Sequence, residues 1–212
     1  MTRIKFCGIR RRQDLKEAIA LGIDYVGLNF YPESSRYLLP DEALRITQGL
    51  PTEGLLIGVF VNAPVDQIVK LVESLRLAGV QLHGQESGDL AKEIKRRLPQ
   101  TMVIKAIRVS RTEDFIQAEG YPADFFLLDS FLSSLPGGTG RQINQKLLRT
   151  SPLPWEKVFL AGGIRVDNVD FFIKSFHPFA VDICSGVERQ PGVKNKDLMA
   201  KLVSRVREAN GR

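Results

Sequence analysis

Short apolar runs recur about every twenty residues along the chain, and polar residues able to do chemistry stand where those runs stop. The runs cover residues 4–7, 25–30, 56–61, 80–83, 102–107, 125–129, 158–161 and 180–184. Each is too short for a buried helix and rich in β-branched or aromatic residues, so each is read as a strand. Between them lie amphipathic stretches such as 65–78 and 88–98, read as helices. Strand and helix alternating throughout requires parallel pairing. The pattern predicts an α/β protein, a (β/α)8 or TIM barrel with its working face at the strand C-termini.

The 212 residues are lean beside the roughly 250 of a typical barrel of this kind, which implies short loops. No change of composition marks a boundary, so 1–212 is read as a single barrel domain. A hydrophobic content of 43% and a mean hydropathy of -0.08 fit an ordinary soluble protein. No run approaches the roughly 18 apolar residues of a membrane span. The chain enters a strand at Ile4, leaving no room for a leader. A cytoplasmic enzyme without a membrane partner is expected.

Two cysteines cannot build a disulfide framework and neither has a paired metal-ligand spacing; with only two histidines, metal catalysis is not expected. The net charge of +6 gathers at Arg10-Arg11-Arg12, Lys95-Arg96-Arg97 and along 194–212. These clusters lack the interleaved aromatics of a nucleic-acid surface and are read as solvated faces. The basic balance suits a small anionic substrate better. Oligomeric state, monomer or homodimer, stays open.

The chemistry-bearing residues sit at strand ends. Cys7 closes the first strand before Gly8, and Asp129 closes the sixth. A lone cysteine in an apolar strand is ordinarily packing. A thiol and a carboxylate at matching levels of one barrel instead suit a base and an acid on opposite sides of one substrate. That chemistry requires a lowered thiol pKa and a raised carboxyl pKa. Ala161-Gly162-Gly163 and Ser185-Gly186 follow the seventh and eighth strands, where such barrels often hold phosphate on backbone amides. Arg36, in the loop after the second strand, is a candidate fork for a carboxylate. His83 ends the fourth strand and reads equally as ligand contact or as a structural histidine; Asp182 either orients a substrate amine or ties down loop backbone.

Lys5-Phe6-Cys7-Gly8-Ile9, Ser35-Arg36-Tyr37, Gly58-Val59-Phe60-Val61-Asn62, Val80-Gln81-Leu82-His83-Gly84, Leu128-Asp129-Ser130, Gly137-Gly138-Thr139-Gly140, Leu160-Ala161-Gly162-Gly163, Ser185-Gly186-Val187-Glu188 and Pro191-Gly192-Val193-Lys194, in that order, resemble the phosphoribosylanthranilate isomerases. The resemblance implies a cofactor-free Amadori rearrangement of a phosphorylated small molecule in tryptophan biosynthesis. It implies Asp129 as general acid, Cys7 as general base, Arg36 on the anthranilate carboxylate, and Gly162, Gly163, Ser185 and Gly186 on the phosphate. A histidine-pathway aminoaldose isomerase would be expected to carry two aspartates in place of the Cys7/Asp129 pair. Indole-glycerol-phosphate synthase needs a lysine and glutamate set with no evident counterpart, and a noncatalytic phosphate binder has no use for the pair.

Segment 130–140, rich in Ser, Gly and Pro, is expected to be a lid over the substrate. The chain departs from the resemblance at 141–145, where an aromatic and an acidic residue are replaced, and at Cys184, where serine is frequent. Because first and eighth strands adjoin in a closed barrel, Cys184 could approach Cys7, and an oxidative link is a hypothesis provided their Cα atoms lie within about 7 Å; otherwise Cys184 is a small buried filler.

Overall fold

The computed structural model describes residues 1–130 and 144–211. Eight parallel strands close into a barrel in chain order: β1 (Arg3–Cys7), β2 (Tyr25–Asn29), β3 (Leu56–Phe60), β4 (Gly79–Leu82), β5 (Met102–Val109), β6 (Phe125–Ser130), β7 (Val158–Leu160) and β8 (Ala180–Ile183). Closure is made by β8 against β1, with Lys5 opposite Asp182 and Phe6 opposite Ile183. Helices α1 (Arg12–Ala20), α2 (Pro40–Thr47), α3 (Val65–Leu75), α4 (Gly88–Arg97), α5 (Gln145–Leu148), α6 (Val169–Phe176) and α7 (Lys196–Ala209) cover the outside.

The expected strands form within one or two residues of the apolar runs. The expected helix over 65–78 stops at Leu75, because Arg76 turns left-handed at φ 50°. After β5 the connection is a 3-10 helix, Thr112–Ala118, rather than an α-helix. Local polar groups secure the ends that hold. Ser87 Oγ accepts from Leu90 N at 3.3 Å to start α4, whose last turn carries Lys95, Arg96 and Arg97 against the helix dipole.

Alternation along each strand divides the side chains between two environments. Phe126 and Leu128 of β6 face the helices, whereas Phe125 and Leu127 face the barrel interior. Tyr25, Phe125, Phe159 and Phe179 plug the N-terminal end, their ring centroids 4.2 to 6.4 Å apart. Towards the C-terminal end the interior row turns polar. Lys5 and Cys7 of β1 alternate with outward Ile4 and Phe6; Gln81 and His83 alternate with Val80 and Leu82; and Asp129 and Asp182 occupy the same kind of position on β6 and β8. All of the expected 130–140 lid but Ser130, and 141–143 of the altered 141–145 run, lie outside the described residues. Among the described residues no helix is long and apolar enough to cross a membrane.

Candidate active site

A cleft of about 810 Å³ opens at the C-terminal end of the barrel. Its walls include Cys7, Arg36, His83, Asp129, Gly162, Gly163, Asp182, Ser185 and Gly186, so every site residue singled out from the sequence meets there.

Cys7 ends β1 with Gly8 turning the chain at φ +73°. A side chain on Gly8 would lie 2.5 Å from Arg36 Cδ, and one on Gly27 would lie 2.7 Å from Cys7 Sγ. Glycine at both positions lets the arginine cross the turn and the sulfur stand in the cleft. The thiol pKa is pulled below the ordinary range, first by a hydrogen bond from Cys184; burial opposes the shift, and the nearby cations Lys5 and Lys194 support it. Cys184 is pushed the other way by the same contact. Both cysteines are free.

Asp129 moves oppositely to Cys7. Burial and the neighbouring Asp182 carboxylate push its pKa up to about 6, against the Ser130 amide hydrogen bond at 2.8 Å and the charges of Arg108 and Lys5. A thiol made more acidic and a carboxyl made less acidic, on two walls of one cleft, form a pairing able to transfer protons near neutral pH.

Among the described residues Asp182 accepts no backbone hydrogen bond. It holds Lys5, whose Nζ lies 2.9 Å away and has no exposure to solvent. His83 has one nitrogen engaged: Nδ1 lies 2.7 Å from Gln81 Nε2, while Nε2 is buried without a hydrogen-bond partner, 3.7 Å from Asp129 Oδ2. Burial, then Arg108, Lys5 and Lys105, depress the imidazole pKa to about 3, so the ring is neutral at physiological pH.

Arg36 is already gripped. Its Nη2 donates to Glu188 Oε2 at 2.7 Å and its Nε to both carboxylate oxygens, leaving Nη1 with only the Ser35 hydroxyl at 3.5 Å. Lys194 Nζ, fully buried, donates to Glu188, to the Cys7 carbonyl at 2.6 Å and to the Cys184 carbonyl at 3.0 Å. One ammonium thus pins the ends of β1 and β8 and the carboxylate that orients Arg36. On the β7 and β8 loops, Gly162 and Gly163 take φ +87° and +72°, and a side chain on Gly186 would meet the Ile164 carbonyl oxygen at 2.1 Å. The left-handed backbone at Gly162 and Gly163 and the close approach at Gly186 both favour glycine there.

A model of the N-(5'-phosphoribosyl)anthranilate (PRA) isomerase family matches residues 4–205. The chain belongs to the phosphoribosylanthranilate isomerase family. This isomerase is 41% identical over 211 residues to the N-(5'-phosphoribosyl)anthranilate isomerase of Rippkaea orientalis, covering 97% of this chain and 96% of that one. It is 36% identical to the Trichlorobacter lovleyi isomerase, covering 99% and 100%. Its fold superposes on the Thermotoga maritima phosphoribosyl anthranilate isomerase with a TM-score of 0.85 at 35% identity, with both chains fully covered. A phosphoribosyl anthranilate isomerase bound to reduced 1-(o-carboxyphenylamino)-1-deoxyribulose 5-phosphate matches with a TM-score of 0.82 at 35% identity, again over the whole of both chains. The family places the chain among the isomerases of tryptophan biosynthesis.

Sequence reasoning gave no role in this isomerase to Lys5, Gln81, Glu188 or Lys194, although all four are buried or paired at the site. For Lys5 there was a signal: a lysine inside an otherwise apolar strand, two residues before Cys7, must share its face of the sheet. Glu188 and Lys194 stood inside motifs that carry the resemblance, but nothing in the pattern paired them, because their pairing depends on the hairpin formed by β9 (Glu188–Gln190) and β10 (Val193–Lys194).

Proposed function

We propose that the chain converts N-(5-phosphoribosyl)anthranilate into 1-(2-carboxyphenylamino)-1-deoxyribulose 5-phosphate by an Amadori rearrangement, with Asp129 as general acid and Cys7 as general base. The observation that carries this reading is the convergence of a lowered thiol pKa and a carboxyl raised to about 6 in one cleft.

Asp129 gives its proton to the ribose ring oxygen; the C1–oxygen bond breaks and the anilino nitrogen's lone pair forms the iminium. The Cys7 thiolate takes the C2 proton, made acidic by that iminium, and the electron pair moves to leave a neutral enolamine. The enolamine then gains a proton at C1 and loses one from its hydroxyl, becoming the ketone. Each cycle leaves Cys7 protonated and Asp129 ionised, so a proton returns to the carboxylate through solvent before the next.

The remaining groups bind. Arg36 Nη1 is the unused donor for the anthranilate carboxylate, and backbone amides around Gly162, Gly163, Ser185 and Gly186 receive the phosphate. Substrate with an anion at each end is drawn towards a chain of net charge +6.

Loss of anthranilate-type fluorescence from freshly generated substrate tests the reading. Turnover by the intact protein, falling by about 10²–10⁴ in Cys7→Ala and in Asp129→Asn while product still binds, is expected. Binding without turnover by the intact protein, or either variant at full rate, overturns it.

A further inference from the structure

A line of polar contacts runs across the barrel from Lys5, beside the thiol, through Gln81 to His83, and stops one gap short of the Asp129 carboxyl. Lys5 Nζ has three donors and no acceptor. Two of them go to Asp182 Oδ1 at 2.9 Å and to Gln81 Oε1 at 2.9 Å, and Cys7 stands next to the ammonium and feels its charge. Because an ammonium can only donate, the Gln81 amide must turn its oxygen to Lys5 and its NH2 towards His83. That NH2 lies 2.7 Å from Nδ1, so Nδ1 must accept and the ring proton must sit on Nε2. Nε2 is the one buried side-chain nitrogen or oxygen without a partner among the described residues, and it faces Asp129.

We propose that Lys5, acting through Gln81, is a positioning residue that holds His83 as its neutral Nε2–H tautomer, and that this N–H becomes the hydrogen-bond donor to the Asp129 carboxylate once Asp129 has released its proton. The inference rests on Asp129 being the acid. At 3.7 Å the contact lies just outside hydrogen-bond range, where a protonated carboxyl gains little from it. When the carboxyl ionises, a shift of less than an ångström closes the bond, and the donor then stabilises the form that the reaction creates. The arrangement needs a neutral imidazole: Arg108, Lys5 and Lys105 all bear on the ring and keep it so, while Asp129 itself is faced by Asp182, Arg108 and Lys5 besides His83. The same Lys5 ammonium contacts the base, so one buried cation orders both ends of the proton path.

Nitrogen-15 NMR of the full chain reads the tautomer directly. A pyridine-like Nδ1 and pyrrole-like Nε2, held throughout the neutral range, are expected; in Gln81→Met, where no amide fixes Nδ1, the two tautomers mix. The proton found on Nδ1 in the intact protein overturns the proposal. In the kinetics, His83→Leu lowers kcat by about 10- to 100-fold, the worth of a hydrogen bond to a charged group, with KM little changed. The Asp129 limb of the pH profile moves to higher pH, because its carboxylate has lost a donor. His83→Gln, which can present an amide N–H at the Nε2 position, restores most of both. An unchanged kcat and limb in His83→Leu, or no rescue by glutamine, also overturns it. If the intact protein fails to turn over phosphoribosylanthranilate, the Amadori reading is what fails; the tautomer, and the Asp129 titration read by carbon-13 NMR in the intact protein and His83→Leu, still decide the inference.

Discussion

Arg36 and Glu188, 152 positions apart in the chain, meet in a buried fork with Nη2 and Oε2 at 2.7 Å. The pairing spends two of the guanidinium's three nitrogens on Glu188 and leaves Nη1 with only a long contact to the Ser35 hydroxyl at 3.5 Å. Glu188→Gln keeps the shape but removes the charge that fixes the fork. KM for phosphoribosylanthranilate is expected to rise about tenfold, close to 1.4 kcal/mol, with kcat nearly unchanged. A fall in kcat with KM constant would contradict the binding role given to Arg36.

The opposed shifts of Cys7 and Asp129 dictate the pH profile. The proposed mechanism needs Asp129 protonated and Cys7 ionised together. With ordinary pKa values of about 3.9 and 8.5, only about one molecule in 10⁴–10⁵ would be so, and each unit by which the two values approach raises that share about tenfold. Activity is therefore expected to peak between the Asp129 value of about 6 and the lowered thiol value, falling on either side. Iodoacetamide alkylation of Cys7, followed against pH, checks the assignment: its midpoint should lie below the ordinary 8.5.

The raised carboxyl also costs stability. A folded-state pKa of about 6 against about 3.9 unfolded means that the fold favours the protonated form. That preference is fully present below the unfolded value and is lost as pH rises through about 6, so at neutral pH the fold carries an unfavourable charge. Asp129→Asn, inactive, is expected to be more resistant to urea than the parent by about 2–3 kcal/mol at pH 8, with little difference at pH 4. Equal midpoints at pH 8 would refute the shift.

Gly186 leaves no space above the Ile164 carbonyl. Gly186→Ala forces the loops after β7 and β8 apart, and inhibition by inorganic phosphate should weaken by about tenfold or more. Unaltered phosphate inhibition would show that these loops do not hold the anion.

Cys7 and Cys184 lie next in register beyond the Phe6–Ile183 pair and share a hydrogen bond. With hydrogen peroxide as oxidant, the Cys7 thiolate forms an S–O bond as the O–O bond breaks and water leaves; the Cys184 sulfur then displaces the second oxygen as water. The expected product lacks two hydrogens by intact mass, is inactive and is restored by dithiothreitol, whereas Cys184→Ser gives no such product. Both thiols free after mild peroxide, with activity retained, would rule the link out.

The barrel was legible because strands covered on both faces must be apolar throughout, so each run announced its own limits to within a residue or two. Asp129 and His83 were legible for the same reason: a polar residue ending such a run has to emerge at the mouth. Lys5 and Gln81 sit one step deeper, where a polar residue reads as an exception to the pattern rather than as part of the site. Glu188 and Lys194 are set by a hairpin too short to leave a periodic signature. The α-helix expected after β5 failed on local chemistry, since Asp114 draws the Ser110 and Arg111 amides into a tight turn and a 3-10 helix follows.

Closure of β8 on β1 has a consequence in time. Cys7 is made among the first residues, yet Asp182, Cys184 and Lys194, which complete its surroundings, come from the far end of the chain. A growing polypeptide therefore carries an ordinary, sluggish thiol until its final strand arrives. On the proposed mechanism, Cys184 and Lys194 switch on reactivity only as the fold is finished, and a chain stopped short of β8 holds the reacting atoms without the reaction.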